Sequence, residues 1–322
     1  MDNLNWQAAL RPSVRWMVLL DLESTCSNTK KPAPSEAVIG RGEGEVIEIG
    51  AVVIDLQQQV RPRGFRTLVR PVGNPILTTY CTGLTKITQE AVEAAPTFPQ
   101  ACAALSEFLA PLNNQENGWA WASWGQSDLN VLDATAARYG IAHPLPADRH
   151  HNLKGAFAVI RGGEEGIGRV MERLAIRPHG KPHRALSDAC NLARFYPVMR
   201  RYATAQAAAA EHFGIDRAQK WMRENNPELG GRRPAIMMHN DDELAQVLGV
   251  IEPTTPTNRP EADLAPAEQL EFWAKVGRAA LDNSDLPASF IAESLTSMAE
   301  PREDSTVFEP RSHNQSSGGK SP

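Results

Sequence analysis

Apolar positions along the chain fall into two rhythms, and the change from one to the other sets out the elements. Met17 to Leu20 are four consecutive apolar residues running into Asp21 and Glu23, which reads as a buried strand with acids at its end. A polar, proline-containing stretch, "STCSNTKKPAPSEAVIGRGEG", leads to "EVIEIGAVVID", a strand by its β-branched content, and to a further strand, "GFRTLVRP". Strands joined by loops without intervening helices predict an antiparallel start to a sheet. From "ITQEAVEAAPTFPQACAALSEFLAPL" the spacing turns helical, with Ala101, Leu105, Phe108 and Leu112 at three- and four-residue steps. "GWAWASWG" is a short aromatic strand, "SDLNVLDATAARYG" a helix closed by Gly140, and "GEEGIGRVMERLAI" another helix. "ALSDACNLARFYPVMRRYATAQAAAAEHFG" opens one more helix, expected to break or kink near Pro197.

Beyond residue 200 the pattern is almost wholly helical. Residues 202–252 form a compact stretch divided by "NPELGGRRP", where Gly230 and Gly231 suit positive φ and Pro234 a first helical position. Residues 251–263 read as a linker. A stretch from about Pro266 to Met298 carries Leu270, Trp273, Val276 and Leu281 at near-helical spacing, and the polar Gly/Ser/Pro-rich end reads as disordered. The expected division is therefore 1–201, an α/β domain; 202–252, a small all-α domain; and 253–322, linker, amphipathic helix and disordered tail.

Charge narrows the function. The whole chain of 322 residues has a net charge of −5, but residues 1–200 hold 21 basic and 19 acidic side chains, so the acidity lies in the last third. That disfavours coating long nucleic acid by charge alone and leaves room for a site that grips a chain end. Four widely spaced cysteines show no metal or redox pairing, which points to a reducing cytoplasm. No apolar run approaches the roughly 20 residues needed to cross a bilayer, so no membrane association is expected.

Asp21 and Glu23 are two apart on a strand and share one face. Neighbouring buried anions repel unless they are protonated or compensated, and a divalent cation is the common compensation. Further acids are expected from strand ends and helix starts. Asp128 follows the aromatic strand, and Asp188 lies five residues after His183, which sits in a Gly/Pro loop. Four acids and one histidine suit phosphodiester hydrolysis with two metal ions, in which a histidine near neutral pKa takes the proton of the attacking water. His150 and His151 point apart on a strand and suit a structural role better, as do Asp133 and Glu48. Of Trp119, Trp121 and Trp124, at least two are expected in the core rather than as stacking platforms for bases.

"DLEST", "SWGQSDLNVL" and "HRALSDA" resemble, in order, the three motifs of the DEDDh 3′–5′ exonucleases. "ESTC", "EVIEIGAVV", "YCTGLTKITQEAVEAAPTFP" and "HNLKGAF" are similar to the Eri-type and KapD-like branch, which includes enzymes that trim RNA ends. The likeness covers residues 16–202. It implies a ribonuclease H-like fold, a mixed five-stranded sheet flanked by helices, whose fifth strand would lie near "HHNLKGAF". It also implies two Mg²⁺ ions, with Mn²⁺ able to substitute. Asp21 would bridge both, Glu23 and Asp188 would hold the nucleophile-side ion, Asp128 would support the other directly or through water, and His183 would be the general base. "CTGLTKIT" would lie beside the terminal nucleotide, with Leu84 and Ile87 as apolar contacts to its base and Thr25 as a further substrate-binding position.

The segment from Phe213 to Ile251, with "A-x-x-W" and "NPELGGRRP", resembles the C-terminal toxin-binding domain of MbcA/ParS/Xre-type antitoxins. An exonuclease stands where those antitoxins carry a DNA-binding domain. That departure speaks against toxin neutralisation, and the unit is expected either as a helical dimerisation or docking module or as one that recruits a protein partner such as a RES-type toxin or restrains the nuclease itself. The function expected from the whole is a metal-dependent 3′–5′ exonuclease on nucleic-acid 3′ ends, RNA ahead of DNA, releasing nucleoside 5′-monophosphates. Two alternatives stay open: a DNA-trimming exonuclease, and an antitoxin-like binding protein whose nuclease domain only recognises an RNA end.

Overall fold

The computed structural model of the chain describes residues 6–31, 33, 36–40, 42–57, 61–113 and 118–251. The amphipathic stretch expected at 266–298, the linker and the tail expected to be disordered lie outside them. In chain order the elements are α1 (Trp6–Leu10), β1 (Trp16–Ser24), β2 (Val46–Asp55), β3 (Arg63–Leu68), α2 (Thr79–Thr85), α3 (Gln89–Glu93), α4 (Phe98–Asn113), β4 (Trp119–Ser123), α5 (Ser127–Tyr139), β5 (His150–Asn152), α6 (Leu153–Arg161), α7 (Ile167–Arg173), α8 (Ala185–Phe213), α9 (Ile215–Trp221) and α10 (Asp241–Ile251).

The sheet has the order β3-β2-β1-β4-β5. β1 pairs antiparallel with β2 and parallel with β4, β2 pairs antiparallel with β3, and β4 pairs parallel with β5. This is the mixed five-stranded, ribonuclease H-like sheet, with the short fifth strand in the expected "HHN". Alternation along β1 divides the core. Val18 and Leu20 pack with β2 residues, Phe98, Leu105 and Leu132 beneath α4 and α5, while Met17 and Leu19 pack with Leu153, Phe157, Phe195 and Met199 beneath α6 and α8. Asp21 and Glu23 continue the second set by period two, so they lie on the face that α8 covers.

Gly50 fixes how closely α8 approaches. It stands opposite Asp21 in the β1–β2 register, and a Cβ there would overlap the backbone of Ala185 and Leu186. Without a side chain at this point the first turn of α8 rests directly on β2. Glu48, two residues earlier and also fully buried, receives the backbone N–H of Ala185 at 2.9 Å and pairs with Arg66 and Arg184. It thereby satisfies an otherwise unpaired donor at the start of that helix.

Of the break or kink expected near Pro197, the break does not occur, since α8 runs as one helix through Pro197. Proline removes one backbone donor and costs about 3 kcal/mol in an isolated helix interior. Here Phe195, Tyr196, Val198, Met199 and Tyr202 bury one face, and the Tyr196 hydroxyl donates to Ala9 O at 2.7 Å, so packing outweighs the local cost. Ala193 and Pro197 both line an open cleft, where a carbonyl freed by the missing donor can meet water.

The division expected at 201/202 falls inside α8, and the described residues between 6 and 251 belong to one compact unit. Ala203, Ala209, Met222, Met237 and Val247 belong to the same core cluster as Phe157 and Phe195. Gly230 and Gly231 adopt φ of 66° and 75°, and Pro234 opens a short 3₁₀ turn, as "NPELGGRRP" predicts.

Candidate active site

β1 and β4 are parallel, so both end at the same edge of the sheet, the usual place for a site in such folds. Their pairing stops at Leu19–Ala122, and β1 runs on beyond β4. The next residues of β1 therefore need other partners, and Leu22 N–H donates to Asp128 Oδ1 at 3.2 Å. β4 ends at Ser123, three residues lead to the start of α5 at Ser127, and Asp128 sits in the first turn of that helix. From the opposite layer the first turn of α8 supplies Asp188. Oxygens of Asp21, Glu23 and Asp188 lie within 4.8 Å of one another. The tertiary structure thus brings together four acids separated by more than 160 positions, with Asp128 adjoining the central three.

Like charges at this spacing must be compensated. Burial first, then the charges of Asp128, Glu23 and Asp188, hold the Asp21 carboxyl well above the usual carboxylate range. Burial and the neighbouring Asp188 and Glu48 push Glu23 up to about 8, and burial pushes Asp128 up to about 6 despite the Leu22 N–H. Asp188 is raised by burial, with hydrogen bonds from the backbone of His183 and Arg184 offsetting part of the effect. Glu48 behaves differently. Burial would raise it, but hydrogen bonds from Arg184, Ala185 and Arg66 hold it below its ordinary range. It is an ionised structural carboxylate beside the cluster, in keeping with the role expected for it.

The donor set is all oxygen, anionic and under mutual repulsion, which fits a hard divalent cation and not a thiophilic one. Asp21, Glu23 and Asp188 would hold such an ion, and Asp128 is placed to assist.

His183 is exposed in the loop preceding α8, at φ 57°, and its charge acts on Asp188. Leu84 is half-buried on α2, whose start is capped by Thr78 and which the sequence patterns did not indicate as a helix. Two expected substrate contacts are corrected. Ile87 is 2% exposed and packs with Ile47, Leu77, Cys81 and Val92. Thr25 is 1% exposed, and its hydroxyl accepts Glu45 N–H at 2.9 Å, closing the loop that follows β1. Both are interior residues with no surface to offer a nucleotide.

His150 stacks on Trp121, contacts Ser123 Oγ at 2.9 Å, and is pushed down to about 4 by burial, so it serves as a neutral structural group. Asp133 pairs with His143 at 2.8 Å. Trp119 and Trp121 are core residues, and Trp124 is partly buried with its indole N–H on Glu165 O. Glu45 was not singled out in the sequence. It is fully buried and accepts the N–H groups of Val72, Gly73 and Asn74, pinning the turn that precedes α2.

A sheet of this order with four acids gathered at the carboxyl end of its central strand is a ribonuclease H-like fold whose acidic cluster suits a hard divalent cation. The chain belongs to the exonuclease family, whose RNase_T profile matches residues 18–196. Residues 208–252 match the C-terminal toxin-binding domain of Xre/MbcA/ParS antitoxins, and residues 267–314 a ParD-like antitoxin of type II bacterial toxin–antitoxin systems.

Among curated proteins, the chain is 28% identical over 215 residues to the 3′–5′ exonuclease eri1 of Schizosaccharomyces pombe, covering 58% of this chain and 68% of that one. It is 27% identical over 189 residues to 3′–5′ exoribonuclease 1 of Mus musculus, covering 56% of this chain and 51% of that one. The chain thus spans about half the length of the mammalian relative.

Among solved structures, the nuclease domain of 3′hExo, a DEDDh family member bound to rAMP, superposes with a TM-score of 0.51 at 22% identity, covering 59% of this chain and 93% of that one. A 3′-exonuclease described in 3′-end-specific recognition of the histone mRNA stem-loop superposes with the same TM-score of 0.51 at 21% identity, over 58% of this chain and 64% of that one. Among the described residues no helix is long and apolar enough to cross a membrane.

Proposed function

We propose that the chain is a 3′–5′ exonuclease acting on single-stranded RNA ends and releasing nucleoside 5′-monophosphates. The observation that carries this reading is the convergence of Asp21, Glu23 and Asp188 within 4.8 Å, with Asp128 bound to the strand between the first two. Two Mg²⁺ ions, for which Mn²⁺ can substitute, would be held by these four acids and would supply charge stabilisation to the attacking water and the leaving 3′ oxygen. His183 takes the proton of the attacking water, a role open to an exposed imidazole in the loop that leads into the helix bearing Asp188. Leu84 on α2 offers an apolar surface to the terminal base. RNA is favoured over DNA by the likeness to 3′–5′ exoribonucleases.

Residues 202–252 serve, on this reading, as the docking module for a protein partner, either a toxin of the kind bound by the antitoxins they match or a second copy of the chain. The free cysteines fit a reducing cytoplasm.

The test is a time course on 5′-labelled single-stranded RNA and its DNA counterpart, with Mg²⁺, with Mn²⁺ and with EDTA. A metal-dependent ladder shortening from the 3′ end, faster on RNA, is expected. A faster ladder on DNA would transfer the assignment to DNA trimming. No cleavage of either, with RNA ends still bound, would favour a binding protein that only recognises an RNA end.

A further inference from the structure

The loop between α7 and α8 carries Arg177, His179, Lys181 and His183, all exposed, and its backbone is unusual. Ala175, Gly180 and His183 all have positive φ, at 57°, 77° and 57°. Outside glycine this conformation costs about 1–2 kcal/mol per residue and persists only where the surroundings over-determine it. The determinants can be traced. At the far end, Arg184 is held by Glu48 at 3.0 Å and Ala185 N–H by the same carboxylate. Gly180 lies against α8 so closely that a Cβ would stand 2.7 Å from Ser187 Oγ.

At the near end a single side chain does most of the holding. Asn191, 5% exposed on α8, accepts the N–H of His179 at 2.7 Å and donates to the carbonyl of the same residue at 2.9 Å. A side chain that satisfies both backbone groups of one residue must be donor and acceptor at once, which an amide is and a hydroxyl cannot match in reach. Asn191 lies one turn after Asp188 on the same helix and offsets part of the rise that burial imposes on that carboxyl. One buried amide therefore ties the loop that bears the exposed histidine to the helix that bears the acid.

We propose that Asn191 is a positioning residue for His183: its paired hydrogen bonds to His179 hold the loop in register with α8, so that the imidazole stays beside the Asp188 carboxylate. This rests on the reading of His183 as the general base. Three residues separate His179 from His183, and the second anchor begins at Arg184, so releasing His179 frees the intervening backbone to leave its positive-φ conformation. Leu84, the residue read as a contact to the terminal base, lies on α2 and is untouched, so the loss is expected on turnover.

The test is a double-mutant cycle on the full chain, with Asn191→Ala, His183→Ala and the double variant assayed on 5′-labelled single-stranded RNA with Mg²⁺, and melting temperatures followed in parallel. Asn191→Ala is expected to lower kcat by about 10- to 100-fold with KM within about threefold, the scale of a misplaced reacting group. In the His183→Ala background the same change is expected to alter kcat by no more than about threefold, because the group it positions is gone. Asn191→Ser, smaller but still polar, serves if the alanine variant does not fold, with the same expectation.

An Asn191 effect undiminished without His183 would overturn the proposal and place the role on Asp188 or on the fold. An Asn191 variant with wild-type kcat would also overturn it while leaving His183 as the base. His183→Ala with wild-type turnover would instead sink the base assignment itself and the clamp with it.

Discussion

Gly50→Ala is the smallest change that should separate the chemistry of this site from its individual ligands. Gly50 faces Asp21 across the β1–β2 ladder and touches no expected substrate, yet the added methyl would overlap the carbonyl of Ala185 and the amide nitrogen of Leu186. These are backbone atoms in the first turn of α8, so no rotamer change relieves the clash. To reach an ordinary contact of 3.4 Å or more, the helix start must retreat from β2. A retreat of about 1 Å carries Asp188 away from Asp21 and Glu23, and a misplacement of that size costs on the order of 100-fold in rate. It also stretches the bond from Ala185 N–H to Glu48. Overpacking of this kind destabilises by about 1–3 kcal/mol. The measurement is kcat on 5′-labelled RNA at saturating Mg²⁺, with the melting temperature recorded with and without the metal. The expected result is a folded protein, slowed roughly 100-fold, in which Mg²⁺ raises the melting temperature less than in the wild type. A Gly50→Ala protein with unchanged kcat would refute the claim that close approach of α8 to β2 sets the metal site.

Other expectations follow from the same geometry. Asp21→Asn should abolish cleavage while leaving the fold intact, and in EDTA it should melt no lower than the wild type, because it removes one of several mutually repelling buried carboxylates; retained turnover would overturn the site assignment. His183→Ala should lower kcat by about 10²- to 10⁴-fold and spare the Mg²⁺-induced rise in melting temperature, which calorimetry with and without metal checks. Metal-free protein should lose stability as pH rises. Glu23 is raised from 4.5 to about 8, so it binds its proton more tightly folded than unfolded, and the stability this contributes is fully present below pH 4.5 and lost as pH climbs through about 8. Mg²⁺ should therefore raise the melting temperature more at pH 8.5 than at pH 5.5, and an equal rise at both would contradict the buried-carboxylate account.

Much of this molecule is written in local pattern. Four of the strands follow from runs of apolar, β-branched and aromatic residues; β1, β2 and β4 are buried along most of their length and tolerate little else, whereas β3 is largely exposed. Asp21 and Glu23 were legible because period-two alternation alone places them on one face, and the Gly140 cap and the paired Gly230 and Gly231 turn because positive φ selects glycine. Asp128, His183 and Asp188 were legible only as residues near element ends. Nothing in their spacing determines that α5 and α8 approach the end of β1 from opposite layers. That depends on β1 outrunning β4, which leaves Leu22 N–H for Asp128, and on Gly50, which admits α8.

The misreadings have the same origin. Ile87 and Thr25 lie in motifs that suggested substrate contact, but burial is a property of what packs around a residue, and both are enclosed. Pro197 carries a local cost that a sequence displays and a compensating packed face that it does not. Glu45, Glu48 and Asn191 are ordinary polar residues in the sequence. Only the tertiary structure gives them their partners, because a buried carboxylate or amide acts through backbone groups up to 137 positions away. The sequence alone thus determined most of the elements, their faces and the chemical kind of the site, since these depend on neighbours along the chain. The folded structure decided which acids meet and what holds them, since that depends on neighbours in space.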